Sequence, residues 1–237
     1  LLALRQQKLQ RVLKQAHAII TPSQFAAQLH DGNGRFPQKI HVVPHGIVLP
    51  PQLPGRTNTP NTFRIAYIGG LSWQKGVHVA LEAFSRLPAP AEFWLAGDLE
   101  AEPVYSAELQ TMATPGVSFL GKLDREAIWD LLAGVDVVVV PSLWYESFVF
   151  VISEAFAMGV PVIASDLGVL ADRVRHDIDG LLVPAGDVNA WQHALARLQQ
   201  NSALREHLRE GIQPVRSFSN HAAEIQSIYQ QIAPALP

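Results

Sequence analysis

The sequence predicts an α/β fold, a doubly wound and mostly parallel sheet with helices on both faces, and three observations carry the prediction. Short apolar segments alternate with amphipathic ones from residue 63 onward, the run Val135 to Val140 is apolar but for Asp136, and glycines such as Gly69 and Gly70 close the apolar segments. Strands that alternate with helices must pair in parallel, because each return to the same edge of the sheet uses a helix. A strand covered on both faces has no solvent side, so it reads as a continuous apolar run rather than an alternating one.

In chain order, Leu2, Leu9, Val12, Leu13 and Ala16 fall on one helical stripe, while Arg5, Lys8, Arg11 and Lys14 share the rest, with no acid before Asp31. Such a basic amphipathic helix suits either a membrane surface or packing on other protein with a solvated basic face; no aromatic residue anchors the apolar side, which favours the second. Ala18 to Ile20 reads as a strand, Ser23 to Leu29 as a helix and Lys39 to Val43 as a strand. Pro50, Pro51, Pro54, Gly55 and Pro60 then make residues 49–61 a linker, since proline fixes φ and cannot donate to a ladder.

After the linker, Arg64 to Ile68 is a strand, and Val77, Ala80, Leu81 and Phe84 give the i, i+3, i+4, i+7 face of a helix. Further strands are expected at Glu92 to Ala96, Val117 to Leu120, Val135 to Val140, Val162 to Ala164 and Leu181 to Val183. Helices are expected near Arg125 to Leu132, Phe150 to Met158, Asn189 to Gln199 and Phe218 to Ile232.

Composition narrows the function classes. The chain has 237 residues, 48% of them hydrophobic, no cysteine and a formal charge of −3. That is enough apolar material for a core, and it excludes a disordered chain. The lack of cysteine removes disulfide scaffolds, thiol nucleophiles and Cys-ligated zinc together. A slightly acidic balance argues against a dedicated nucleic-acid binder. The apolar runs fall far short of the roughly 18 to 20 residues that span a bilayer. Leu1 stands where an initiator methionine would, and the chain opens in a helical pattern, so it reads as part of something longer.

In open parallel sheets ligands lie beyond the carboxyl ends of the strands, which directs attention to the loops there. The loop Gly69 to Gly76 (GGLSWQKG) matches neither a Walker loop nor a dinucleotide fingerprint. Its glycines still let backbone approach a ligand, and Lys75 at a helix start can neutralise phosphate oxygens; a plain turn with a surface lysine is the other reading. The loop Pro141 to Phe148 places Glu146 beyond the most apolar strand, and the following helix carries Glu154. A helix start there offers free N–H groups to an anion, and a carboxylate can accept two hydrogen bonds from a sugar diol. Taken on spacing alone, both acids serve equally well as helix-start residues. Asp177 and Asp179 have an Asp-x-Asp spacing that can bind metal, but the polar run Arg173 to His176 before them and Gly180 after them read as a solvated turn. The nine histidines show no paired ligand spacing, and His41, His45 and His78 read as surface or hydrogen-bonded residues. No metal site and no Ser-His-Asp triad is expected.

The segment Pro141 to Ser165 (PSLWYESFVFVISEAFAMGVPVIAS) closely resembles the donor-site signature of family-4 retaining glycosyltransferases. In order along the chain, Tyr67 to Gly76 is similar to the family's glycine loop with its Lys-Gly, and Leu95 to Asp98, Phe119 to Gly121, Asp179 to Pro184 and Gly186-Asp187 follow suit. The resemblance implies one half of a GT-B arrangement, two Rossmann-like domains across a cleft. Residues 1–48 would be the end of the N-terminal, acceptor-side domain, with Thr21-Pro22-Ser23 and Val43 to Gly46 as its marks. Residues 62–216 would be the nucleotide-sugar-binding domain, and residues 217–237 the C-terminal helix that packs back on the N-terminal domain.

By the same resemblance, Lys75 would contact the donor diphosphate, Glu146 the hydroxyls of the transferred hexose and Glu154 the ribose diol. Gly69 and Gly70, with Ser147, Phe148, Val149 and Phe150, would hold sugar and phosphate, and the base would rest near Gly121, Lys122 and Leu123. The implied substrate is a UDP- or GDP-sugar, with no cofactor and no metal, because a lysine and a helix end can stabilise the departing diphosphate. The implied acceptor is a glycan or a lipid-linked group bound by the N-terminal domain, polysaccharide assembly is the common setting, and the expected location is the cytoplasm with peripheral membrane contact left open. This chain alone is expected not to transfer sugar, since catalysis needs both reactants positioned together. Gly70 stands where many members have a phosphate-binding arginine, Val149 where glycine is frequent, and Val169 and Asp172 where a second glycine and a glutamate are common. Two other readings share the plan: a catalytically degenerate nucleotide-sugar-binding domain, and an epimerase-like or phosphorylase-like enzyme, which the glutamate pair in its Ser-Phe and Glu-Ala-Phe-Ala setting disfavours.

Overall fold

The computed structural model describes residues 2–31, 38–57 and 61–232. Residues 58–60 of the expected linker and 233–237 of the expected C-terminal segment lie outside the described residues. The chain divides into two compact units, one of Leu1–Val48 with Arg216–Pro237 and the other of Leu49–Val215. The first unit opens with α1 (Leu2–Gln15), β1 (Ile19–Thr21), α2 (Gln24–Asp31) and β2 (Ile40–Val42). Strands β1 and β2 pair in parallel, with Ile19 opposite Ile40. Ser23 sits just before α2 instead of within it, because its hydroxyl accepts the Ala26 N–H at 3.1 Å and so supplies a cap. On α1, Leu9 and Val12 are 53% and 63% exposed.

The second unit holds β3 (Phe63–Ile68), α3 (Val77–Phe84), β4 (Ala91–Ala96), α4 (Pro103–Met112), β5 (Val117–Gly121), α5 (Arg125–Ala133) and β6 (Val137–Val140). It continues with α6 (Phe150–Ala157), β7 (Val162–Ser165), α7 (Val169–Arg173), β8 (Gly180–Val183), α8 (Val188–Gln200) and α9 (Ser202–Gly211). Helix α10 (Phe218–Ile232) belongs with the first unit, where Ser217 beside its start bridges Ile47.

The six strands form one parallel sheet in the order β5-β4-β3-β6-β7-β8, so the winding starts in the middle and reverses between β3 and β6. One face packs Ile65, Phe93, Val137, Ile163 and Leu181 against Val77 and Leu81 of α3 and Trp191 and Leu195 of α8, all in one buried cluster. The alternate strand residues Ala66, Val138, Val162 and Ala164 are buried as well, and α5 and α6 contact β3 and β7. Burial on both faces is the reason a central strand such as β6 reads as an unbroken apolar run.

Three helices had no clear sequence signal. Helix α4 starts with Pro103 at its first turn and buries Tyr105, Ser106 and Leu109, while Val104 is 76% exposed, so its apolar residues do not fall on one stripe. Helix α7 is only five residues long, and α9 buries Leu208 alone while drawing its start from Asn201, whose side chain accepts the Leu204 N–H. The central strand is shorter than expected at its front: the Asp136 carboxylate accepts the Arg64 N–H at 2.9 Å, and the Val135 carbonyl accepts from the Arg56 guanidinium. Among the described residues no helix is long and apolar enough to cross a membrane.

Candidate functional site

Where the winding reverses, the carboxyl ends of β3 and β6 diverge and leave a crevice, the place where doubly wound sheets hold ligands. A cavity of about 230 Å³ lies there, lined by Ile68 at the end of β3 with Gly69 and Gly70 after it, by Val140 at the end of β6 with Ser142 and Glu146 after it, and by Phe148 to Val151 at the start of α6. Two loops build it and abut directly. Gly76 has φ +67°, and a Cβ there would lie 2.0 Å from the Pro141 carbonyl oxygen, so glycine is needed for both shape and space. The Leu143 N–H then donates to the Gln74 carbonyl at 2.8 Å.

That docking brings Lys75 to Glu146. The ammonium lies 2.8 and 2.9 Å from the two carboxylate oxygens, and the buried Ser142 hydroxyl donates to the first of them at 2.7 Å. Glu146 is 11% exposed on its side chain and Lys75 32%, so the pair is shielded but open to the cavity. Buried Tyr67 donates from its hydroxyl to the Gly70 carbonyl at 2.6 Å, which fixes the glycine loop; burial pushes its pKa above the usual phenol range, so it keeps its proton.

The start of α6 is the third wall. Val149 precedes the helix with an extended backbone, φ −121° and ψ 98°, so this β-branched residue sits where it does without the positive φ that glycine would be needed for. It provides no side-chain cap, and its carbonyl accepts the Ile152 N–H of the first turn at 3.2 Å. Phe148 packs edge-on against Phe150, with centroids 5.1 Å apart, and also meets the Arg173 guanidinium, 3.9 Å above the ring.

Of the residues singled out from sequence, the structure gathers Gly69, Gly70, Lys75, Glu146, Phe148, Val149 and Phe150 around the cavity. Glu154, Ser147, Gly121, Lys122 and Leu123 do not line it. Glu154 is 8% exposed on α6, where burial lifts its carboxyl above the ordinary carboxylate range and the charge of Arg125 partly offsets that. Gly121 ends β5 with φ +68° and accepts the Gly97 N–H, so Gly69, Gly97 and Gly121 close three adjacent strands in close approach. His78 is hydrogen-bonded as expected, with Nδ1 and the Tyr105 hydroxyl 2.8 Å apart.

One sequence expectation is overturned. The Asp177 to Asp179 segment is a turn, but Asp179 is not solvated: it is 3% exposed and accepts both the Arg175 N–H and its Nε, at 2.8 and 2.6 Å. Sequence reasoning also missed Ser142, Tyr67 and Arg173 as parts of the site. Ser142 stands two residues past β6 and was legible by position, whereas the contacts of Arg173 span 24 and 20 positions and leave no local signal.

Comparison with known proteins agrees with this arrangement. Residues 62–201 match the family model for glycosyl transferases group 1. The chain is similar to the D-inositol 3-phosphate glycosyltransferase of Xylanimonas cellulosilytica, 28% identical over 221 residues that cover 84% of this chain and 53% of that protein. It is 38% identical over 120 residues to the phosphatidyl-myo-inositol mannosyltransferase of Mycobacterium leprae, 49% of this chain and 32% of that one. Among solved structures, the sucrose-phosphate synthase of Thermosynechococcus elongatus superposes with a TM-score of 0.80 at 26% identity, over 95% of this chain and 61% of that one. The chain thus spans about half the length of the curated relative matched over most of its residues. With a six-stranded sheet wound from its centre, paired loops at the switch point and a family match across them, the chain belongs to the group 1 glycosyltransferases, as the C-terminal, Rossmann-like half of their GT-B fold.

Proposed function

We propose that this chain is the nucleotide-sugar-binding part of a retaining glycosyltransferase, which transfers a hexose from a UDP- or GDP-sugar to a glycan or lipid-linked acceptor. The observation that carries the reading is the Lys75–Glu146 pair, steadied by Ser142, on the wall of a cavity at the switch point of the sheet. Its carboxylate can accept two hydrogen bonds from sugar hydroxyls, and its ammonium can turn to a diphosphate once one is present.

In the reaction, the bond between the anomeric carbon and the diphosphate oxygen breaks, and its electron pair leaves with the nucleoside diphosphate. The acceptor oxygen forms the new bond to that carbon and gives up its proton to the departing diphosphate oxygen. Negative charge grows on the leaving oxygen, where Lys75 and the positive end of the α6 dipole stabilise it without a metal. Glu154 takes the ribose diol, and the base rests by Gly121 to Leu123. The acceptor is held by protein beyond the donor domain.

Calorimetric titration with UDP, GDP and ADP tests the reading, beside Lys75→Ala and Glu154→Ala. One nucleotide should bind selectively and both substitutions should weaken it. Absence of binding, or affinity indifferent to both changes, would overturn the donor-site assignment.

A further inference from the structure

We propose that Arg173 is a positioning residue for the donor diphosphate, a second cation that works from α7 through the first turn of α6. The inference rests on the donor-site reading above. Arg173 does not line the cavity. Its Nη1 donates to the Val149 carbonyl at 2.6 Å and its Nη2 to the Ser153 hydroxyl at 2.5 Å, while the guanidinium lies over the Phe148 ring. These three residues belong to the segment that lines the cavity and to the first turn of α6. One fork therefore sets the backbone that would face the phosphates.

The charge matters as well as the bonds. Arg64, Arg175 and Arg209 in the same unit each lie within reach of a carboxylate, on Glu92, Asp179 and Asp136. The hydrogen bonds of Arg173 go to neutral oxygens, and burial alone pushes its pKa down to about 10, so it remains protonated at neutral pH. A mostly buried cation without a counter-charge is costly unless an anion completes the site. The helix start adds a positive field of its own, whereas the charge of Lys75 is already met by Glu146. Burial is the one cause acting on the Arg173 pKa, with no carboxylate beside it among the described residues, and a diphosphate is the anion that the cavity invites. Gly70 carries no side chain to supply a cation from the glycine loop, which leaves Arg173 to do so from behind.

A purely structural role, in which Arg173 only ties α7 to α6, predicts something different, and the test separates the two. The chain, Arg173→Met and Arg173→Lys are titrated with UDP, GDP and ADP, and with uridine, guanosine and adenosine, at low and high salt. For the nucleotide that the unmodified chain binds, Arg173→Met should weaken the diphosphate by about tenfold, the scale of one charge-assisted contact, and leave its nucleoside within about twofold. Its salt dependence should flatten. Arg173→Lys keeps the charge and loses the fork, so it should recover part of the affinity. Equal losses for nucleotide and nucleoside, or no loss at all, would overturn the role of Arg173 while the donor site stands. If Arg173→Met does not fold, the same comparison with Arg173→Lys decides. If the unmodified chain binds none of the nucleotides, the donor-site reading falls and this inference falls with it.

Discussion

Lys75 and Glu146 neutralise each other across the crevice, with the ammonium within 2.9 Å of both carboxylate oxygens. A diphosphate must therefore compete with Glu146 for Lys75, and the two substitutions should act in opposite directions. Lys75→Ala should raise the Kd for the nucleoside diphosphate about tenfold or more, since a hydrogen bond to a charged group contributes about 1.5–3 kcal/mol. Glu146→Gln should leave that affinity unchanged or improve it, while the added affinity of the sugar-bearing donor over the bare diphosphate disappears. Calorimetry on both ligands checks this. If Glu146→Gln weakens both equally, Glu146 does not meet the sugar.

Glu154 should couple stability to pH, with a definite sign. Burial raises its folded-state pKa above the unfolded value, so the folded chain holds the proton more tightly. That contribution is complete below the ordinary carboxylate range and is lost as the pH rises through the raised value. Glu154→Gln should flatten this loss and raise the melting temperature at neutral pH, by about 2–4 °C for each kcal/mol in a chain of this size. The same substitution should weaken nucleotide binding, because an amide offers a ribose diol one acceptor oxygen where a carboxylate offers two. In the unmodified chain, nucleotide affinity should fall as the pH drops through the raised pKa. Melting curves and titrations across pH 4 to 8 would contradict the assignment if Glu154→Gln behaved as the parent throughout.

Asp179 offers a control in which stability changes and binding does not. It sits at the amino end of β8, away from the carboxyl-end crevice, with its carboxylate on Arg175 and the guanidinium of Arg175 on the Gly211 carbonyl. Asp179→Ala leaves the Arg175 N–H and Nε without their acceptor. Because Arg175 is 40% exposed, water replaces part of the loss, and the cost should be about 2 kcal/mol rather than the 3–5 kcal/mol of a fully buried pair. The melting temperature should fall by about 4–8 °C with nucleotide affinity unchanged. A changed Kd would mean that this turn communicates with the site.

The sheet was legible because burial on both faces imprints itself locally: β6 is an unbroken apolar run, β3 is apolar but for Arg64 and β7 but for its last residue Ser165, and Gly69 and Pro141 follow β3 and β6. Lys75 and Glu146 were legible because they stand just beyond strand ends, which any parallel sheet turns into its ligand face. What was not legible depends on contacts between distant segments. Arg173 lay in a polar run that read as solvent-exposed, yet its guanidinium is drawn over the Phe148 ring, with acceptors on Val149 just before α6 and Ser153 within it. Asp179 misled in the same way, since a turn residue is buried only if a partner such as Arg175 folds over it. Helix α4 was invisible because its few buried residues follow no helical stripe.

Gly70 gives the most direct gain-of-function test. A Cβ built there meets nothing within 4 Å, and Gly70 is not among the positive-φ glycines, so a side chain can be added without strain or collision. Its carbonyl is held by Tyr67, which keeps the loop in place whatever the side chain. In Gly70→Arg the new guanidinium would extend from the rim of the cavity beside Lys75, whose own charge is engaged by Glu146. The substitution should therefore tighten nucleoside diphosphate binding by about three- to tenfold at low salt, with a steeper salt dependence and an unchanged melting temperature. Tyr67→Phe in the same background should remove much of the gain, because the freed Gly70 carbonyl lets the loop, and the new guanidinium with it, sample other positions. Unaltered affinity in Gly70→Arg would show that the phosphates lie away from the glycine loop, and would move the diphosphate toward the start of α6 alone.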